Sequence, residues 1–207
     1  MPPAYVVRAQ VIDVRTDTPR PDDRFVLDTN VWAYEHFRGA QYTASGGVVA
    51  QASVYAGYVQ LTRDVGAVRH RVVTTLAELA HLVEQLEHAA YAAAVGPLDL
   101  KDYRHNLPSE RARVVGEILK AWRKIEADSD LLPLALDDVL AAAALARLAS
   151  APVDGYDLFL LEAMAAAGVT QLITDDGDFC TVAGIEVFTA NQRVIAAART
   201  QGRLILR

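Results

Sequence analysis

The chain has 207 residues, 52% of them apolar, and a formal net charge of −6. That length supports one well-buried core, because a domain of this size buries about 70% of the surface its unfolded chain exposes. The balance of residues excludes a disordered, collagen-like or coiled-coil protein, and the single cysteine, Cys180, excludes an internal disulfide, so a soluble protein of a reducing cytoplasm is expected.

The first residues lack a basic stretch followed by a long apolar run, so no signal peptide is expected, and the most apolar run, residues 139–146, is too short to span a bilayer. Residues 5–14 suit an additional edge strand, but Pro19 and Pro21 separate them from the first core strand. Residues 1–23 therefore read as an N-terminal extension and 24–207 as a single domain.

Residues 24–28 form an apolar strand ending on Asp28, then a polar turn, then a helix from Val31. Gly46 and Gly47 mark a loop, residues 52–64 have helical spacing, residues 71–75 read as a short strand and residues 76–94 as a long helix. After the break between Pro97 and Pro108, a charged helix runs to about residue 127, giving an inserted arm over about 101–127. A third strand is predicted at 130–137, helices at 138–150 and 154–167 with Gly168 as terminator, short strands at 171–174 and 185–188, and a last helix capped by Asn191. About five short strands alternating with helices predict an α/β fold, with a central, mostly parallel sheet and right-handed crossovers that place helices on both faces.

Open parallel sheets bind ligands beyond the carboxyl ends of their strands. Asp28 stands at such an end. Asp176 and Asp178 stand just beyond another, sharing one phase of a two-residue alternation with Thr174 while Asp175 faces the other way. Asp157 opens a helix, where simple capping is its ordinary explanation. Glu78 is the lone acid among Leu76, Ala77, Leu79 and Ala80, and a solvent-facing position is the ordinary explanation there.

Hard oxygen donors of this kind suit Mg²⁺ or Mn²⁺, whereas zinc would require clustered His or Cys, and the five histidines are scattered. Two such ions can activate water and stabilise the departing oxygen of an in-line displacement at phosphorus. Without a cation the acids repel one another, which raises at least one pKa. The segment from Lys101 to Lys124 carries seven Lys and Arg against three acids, so the excess of acid lies elsewhere in the chain. Its Arg111, Arg113, Lys120, Arg123 and Lys124 could meet RNA phosphates and Trp122 could stack on a base, against the plainer alternative of an amphipathic helix with Trp122 in the core.

Four stretches in order, Phe25-Val-Leu-Asp28-Thr-Asn-Val31, Thr75-Leu-Ala-Glu78-Leu79, the run from Asp157 to Gly168, and Thr174-Asp-Asp176-Gly-Asp178-Phe179, resemble the motifs of PIN-domain ribonucleases, most closely the VapC-type toxins of toxin-antitoxin pairs. The resemblance implies a PIN-like three-layer α/β/α fold. It implies Asp28, Glu78, Asp157 and Asp176 as the catalytic metal-site acids, Asp178 as an accessory ligand, and Thr29, Asn30 and Thr174 as the groups that orient them. It further implies Mg²⁺ or Mn²⁺, an RNA substrate, a cognate antitoxin and a homodimer. The long gap from Asp28 to Glu78, the charged arm and the extra N-terminal residues depart from the compact toxin pattern. Competing readings are a PIN-fold module that binds RNA or protein without catalysis, a structure-specific DNA nuclease, and a phosphatase with an aspartate nucleophile. The last would call for an acid at the position of Asn30.

Overall fold

The computed structural model describes residues 5–42 and 49–207. The loop predicted at Gly46 and Gly47 lies outside the described residues. One all-parallel sheet runs β4 (Asp130–Leu132), β3 (Val68–Val72), β2 (Arg24–Leu27), β5 (Gln171–Ile173), β6 (Glu186–Thr189), β1 (Gln10–Asp13) and β7 (Leu204–Ile205). Among the described residues eight α-helices cover it: α1 (Thr29–His36), α2 (Ala52–Asp64), α3 (Thr75–Val95), α4 (Leu100–Asn106), α5 (Pro108–Asp128), α6 (Asp138–Leu148), α7 (Gly155–Ala167) and α8 (Gln192–Thr200).

The alternation of side chains along each central strand divides two cores between the faces. Phe25 and Leu27 of β2, Ile173 of β5 and Phe188 of β6 pack with α1, α2, α3 and α5. Val26, Leu172 and Val187 pack on the other face with α6, α7 and α8. Burial on both faces explains why the central strands are short unbroken apolar runs, and the result is a three-layer α/β/α architecture. Among the described residues no helix is long and apolar enough to cross a membrane.

Local chemistry sets the element ends. Asn191 accepts from the backbone N–H groups of Arg193 and Val194 at the start of α8, and Gly168 ends α7 at φ 62°, a left-handed conformation that costs glycine little.

Among the described residues the sheet has seven strands where about five are predicted. The first addition is β1, which lies not at an edge but between β6 and β7, with Val11 opposite Val187 and Leu204. Residues 10–13 are thus part of the domain's sheet rather than an appendage to it. Pairing with a segment so distant leaves no local signature in the sequence. β3 begins and ends three residues earlier than predicted, and β4 stops at Leu132, where Pro133 offers no N–H to continue a ladder. The break before Pro108 contains α4, capped by Asp99.

The predicted arm consists of α4 and α5, and α5 is a layer of the fold, with Val114, Ala121 and Ile125 buried in the core shared with α1 and α3. Trp122 is half-buried and packs against that core, with the Arg71 guanidinium 5.7 Å from its ring centroid.

Candidate functional site

Strand order reverses between β2 and β5: the chain proceeds outward through β3 and β4 on one side, then crosses to continue through β5 and β6 on the other. The crevice beyond the carboxyl ends of two such neighbouring strands is where open α/β sheets gather ligands. β2 leads into Asp28 and β5 into Thr174, so their side chains meet there.

Asp28 is 3% exposed and caps α1. Its Oδ1 accepts from the Thr29 N–H at 2.6 Å, and its Oδ2 accepts from the Asn30 amide at 2.7 Å and the Thr174 hydroxyl at 2.6 Å. Burial, joined by the charges of Glu78 and Asp176, pushes its pKa up to about 7 despite the hydrogen bonds from Thr174 and Thr29. Glu78, half-buried in the first turn of α3, accepts from the Thr29 hydroxyl at 2.6 Å. Its pKa is raised by burial and by the charges of Asp154 and Asp176, with the Thr29 hydrogen bond opposing.

At α7 the structure distinguishes Asp157 from a cap. Asp154 is the cap, its Oδ1 accepting from the N–H groups of Tyr156 at 3.0 Å and Asp157 at 3.3 Å. The Asp157 carboxyl, released from that task, is buried in the site. Burial and the neighbouring charges of Asp28, Asp154, Asp176 and Glu78 push its pKa up to about 8.

The loop after β5 is tied by its own side chains. The Asp176 N–H donates to the Thr174 hydroxyl at 2.9 Å, and the Asp178 N–H donates to Asp176 Oδ1 at 2.8 Å. Asp175 points away, accepting from the hydroxyls of Tyr34 at 3.2 Å and Tyr55 at 2.9 Å.

Asp28, Glu78, Asp154, Asp157 and Asp176 line one cavity of about 270 Å³, with His81, Leu82 and Gln85 on its α3 wall. Thr29 and Asn30 line it too, whereas Thr174 lies beneath as a fully buried support and Asp178 lines a neighbouring cavity. Asp154 and His81 were not singled out from sequence. Asp154 stands only as the first residue of the predicted helix 154–167, and His81 carries a signal in its position one helical turn beyond Glu78.

None of the five cations of α5 lines this cavity. Arg111 pairs with the buried Glu84 at 3.0 Å, Arg113 with Glu87 and Glu110, and Lys120 with Glu117 at 2.6 Å. Arg123 and Lys124 are exposed. Cys180 is fully buried, and burial followed by the charges of Asp178 and Asp176 pushes its thiol up to about 12, the behaviour of an inert core residue.

The carboxylates of the cavity are hard oxygen donors of the kind a divalent cation takes, and burial, followed by the charges of their neighbours, raises the pKa values of Asp28, Glu78 and Asp157. Among the described residues, however, no three His, Cys, Asp or Glu side chains stand close enough together to form a ready-made ion cage. The chain matches no family model, and no curated protein or solved structure matches it.

Proposed function

We propose that the protein is a metal-dependent ribonuclease that hydrolyses phosphodiester bonds at the acidic cavity. The observation that carries this reading is the convergence of Asp28, Glu78, Asp154, Asp157 and Asp176, drawn from four separate segments, on one cavity at the β2 and β5 switch point. The four acids implied by the resemblance to PIN-domain ribonucleases are all among them. RNA as the substrate, a toxin role, a cognate antitoxin and a homodimer draw their support from that same resemblance. Exposed Leu145 and Leu148, one turn apart on α6, supply apolar surface that pairing with a second copy would cover.

Asp28, Glu78, Asp157 and Asp176, with Asp154 beside them, would hold Mg²⁺ or Mn²⁺, which when bound supplies an activated water and stabilisation of the departing oxygen in an in-line displacement at phosphorus. The chain's own contribution is orientation. Thr29, Asn30 and Thr174 fix both oxygens of Asp28, and the Thr29 hydroxyl also fixes Glu78. Such supporting hydrogen bonds preserve ligand geometry. Burial and the charges around it raise the pKa of Asp157, so a cation held there would favour its ionised form and binding would release protons.

Incubation of purified protein with mixed RNA and Mn²⁺, beside an Asp28→Asn variant, tests the proposal. Cleavage by the wild type alone is expected, and equal cleavage by both would overturn it. That no ready-made ion cage stands among the described residues favours a second reading, a binding module without catalysis. Retained RNA binding with no cleavage by either protein would select it.

A further inference from the structure

The acidic cavity shares its wall with a second, differently charged one. Asp176 lines the first, and Asp178, two residues on, lines a groove of about 490 Å³ together with Tyr5, Arg8 and Arg193. Between them the tip of the Tyr5 ring lies against Gly177, and the N–H groups of Arg8 and Ala9 donate to the Cys180 carbonyl at 2.9 and 3.1 Å. The N-terminal segment therefore lies beside the loop that carries Asp176 and Asp178.

The groove's polar groups are those that recognise a nucleotide. Arg8 and Arg193 are exposed and have no ion-pair partner among the described residues. The Arg193 guanidinium stands 5.5 Å from the centroid of the Tyr5 ring, which is itself half-exposed. The hydroxyls of Ser150 and Thr181, also on its walls, donate to the carbonyls of Arg147 and Asp178, so the two arginines are the charged donors left for an anion, with the Asp178 carboxylate beside them. The volume falls within the range of about 300–1,000 Å³ usual for ligand sites. A cavity of carboxylates in a chain of net charge −6 repels a polyanion unless cations stand beside it.

We propose that this groove seats the single-stranded RNA flanking the scissile phosphate, with Arg8 and Arg193 on backbone phosphates and Tyr5 stacked on a base, a proposal that rests on the nuclease reading of the acidic cavity. The cations that hold the strand are thus those at the end of the N-terminal segment and the start of α8, rather than those of α5.

The experiment compares the wild type, an Arg8→Gln/Arg193→Gln double variant and Tyr5→Ala. Binding of a labelled single-stranded RNA is followed by fluorescence anisotropy across a salt series, with Ca²⁺ in place of Mn²⁺. Loss of two phosphate contacts should flatten the slope of log K against log salt by about 1.4, at about 0.7 per contact for single strands. Tyr5→Ala should weaken binding about tenfold at unchanged slope, the scale of one lost base stack. Mn²⁺-dependent hydrolysis of bis(p-nitrophenyl) phosphate should be present in the wild type and lost in Asp28→Asn. An unchanged slope and affinity in the double variant would overturn the groove. Absence of diester hydrolysis by the wild type would instead overturn the nuclease reading, while the anisotropy still decides the groove.

Discussion

The Thr29 hydroxyl donates to Glu78 Oε2 at 2.6 Å, joining the turn after β2 to the first turn of α3. The same residue's N–H holds Asp28 Oδ1, so one threonine positions two acids. Thr29→Val keeps the shape and the N–H but removes the hydroxyl. Mn²⁺ affinity and cleavage should fall about 10- to 100-fold, the usual cost of losing a group that orients ligands. Thr29→Ser should recover most of both. A titration of Mn²⁺ against each variant checks this, and a valine variant with wild-type affinity would deny the bridge any role.

The raised pKa values predict how the metal-free protein responds to pH. Unfolded Asp titrates near 3.9, whereas Asp28 and Asp157 titrate near 7 and 8 in the fold. Between those limits the native state binds more protons than the unfolded state. Their contribution to stability is therefore fully present below about pH 4 and lost as pH rises through 7 and 8. In EDTA, the thermal midpoint should fall between pH 6 and pH 9, and less steeply in Asp28→Asn. Added Mn²⁺ should remove most of that fall. A scanning fluorimetry series that is flat in EDTA would show that these buried carboxyls are not shifted as described.

Asp154 combines two duties that substitution can separate. Asn is as good an N-cap as Asp, so Asp154→Asn should leave the thermal midpoint near wild type while weakening Mn²⁺ binding through loss of a charge from the cavity. Asp154→Ala should lose the charge and, in addition, about 1 kcal/mol of stability. Urea unfolding beside metal titration distinguishes them.

Arg207 is held in the fold by Asp17 at 2.9 Å and Asp23 at 2.7 Å, and its guanidinium lies 4.5 Å from the centroid of the Phe188 ring. Asp17 and Asp23 are 7% and 5% exposed. Arg207→Ala leaves both carboxylates buried without their cation and should cost about 3 kcal/mol in urea unfolding, since removing one partner of a buried pair strands the other charge. Arg207→Lys, with the charge but not the planar fork, should recover part of it.

Arg111 is expected to act through stability rather than RNA affinity, because its guanidinium is committed to Glu84. Glu84 keeps Arg104 as a second partner and Arg111 is 45% exposed, so Arg111→Ala should cost no more than about 1 kcal/mol. The salt slope of RNA binding should stay at its wild-type value. A flattened slope would return the α5 cations to the RNA path.

The helices were largely legible because their cues are local. Residues 52–64 match α2 end for end, and Asn191 and Gly168 act as cap and terminator as their side chains dictate. The acids Asp28, Asp157 and Asp176 stood out through their places at element ends. Asp175 shows the strength of strand alternation, its side chain turned to Tyr34 and Tyr55 while Asp176 lines the cavity. Less visible were the features made by distant chain segments: β1 among β6 and β7, the Glu84 pairs with Arg104 of α4 and Arg111 of α5, and Tyr5 over Gly177.

By itself, then, the sequence determined the alternation of strands and helices and the presence of acids at their ends, because hydrophobic period, capping and turn chemistry act within a few residues. Only the tertiary structure decided that those acids face one cavity. It decided too that Asp154 caps α7 while Asp157 stays free, and that the N-terminal segment lies on the Asp176 to Asp178 loop. Those outcomes depend on strand order and on which chain segments lie side by side, and no local propensity encodes them.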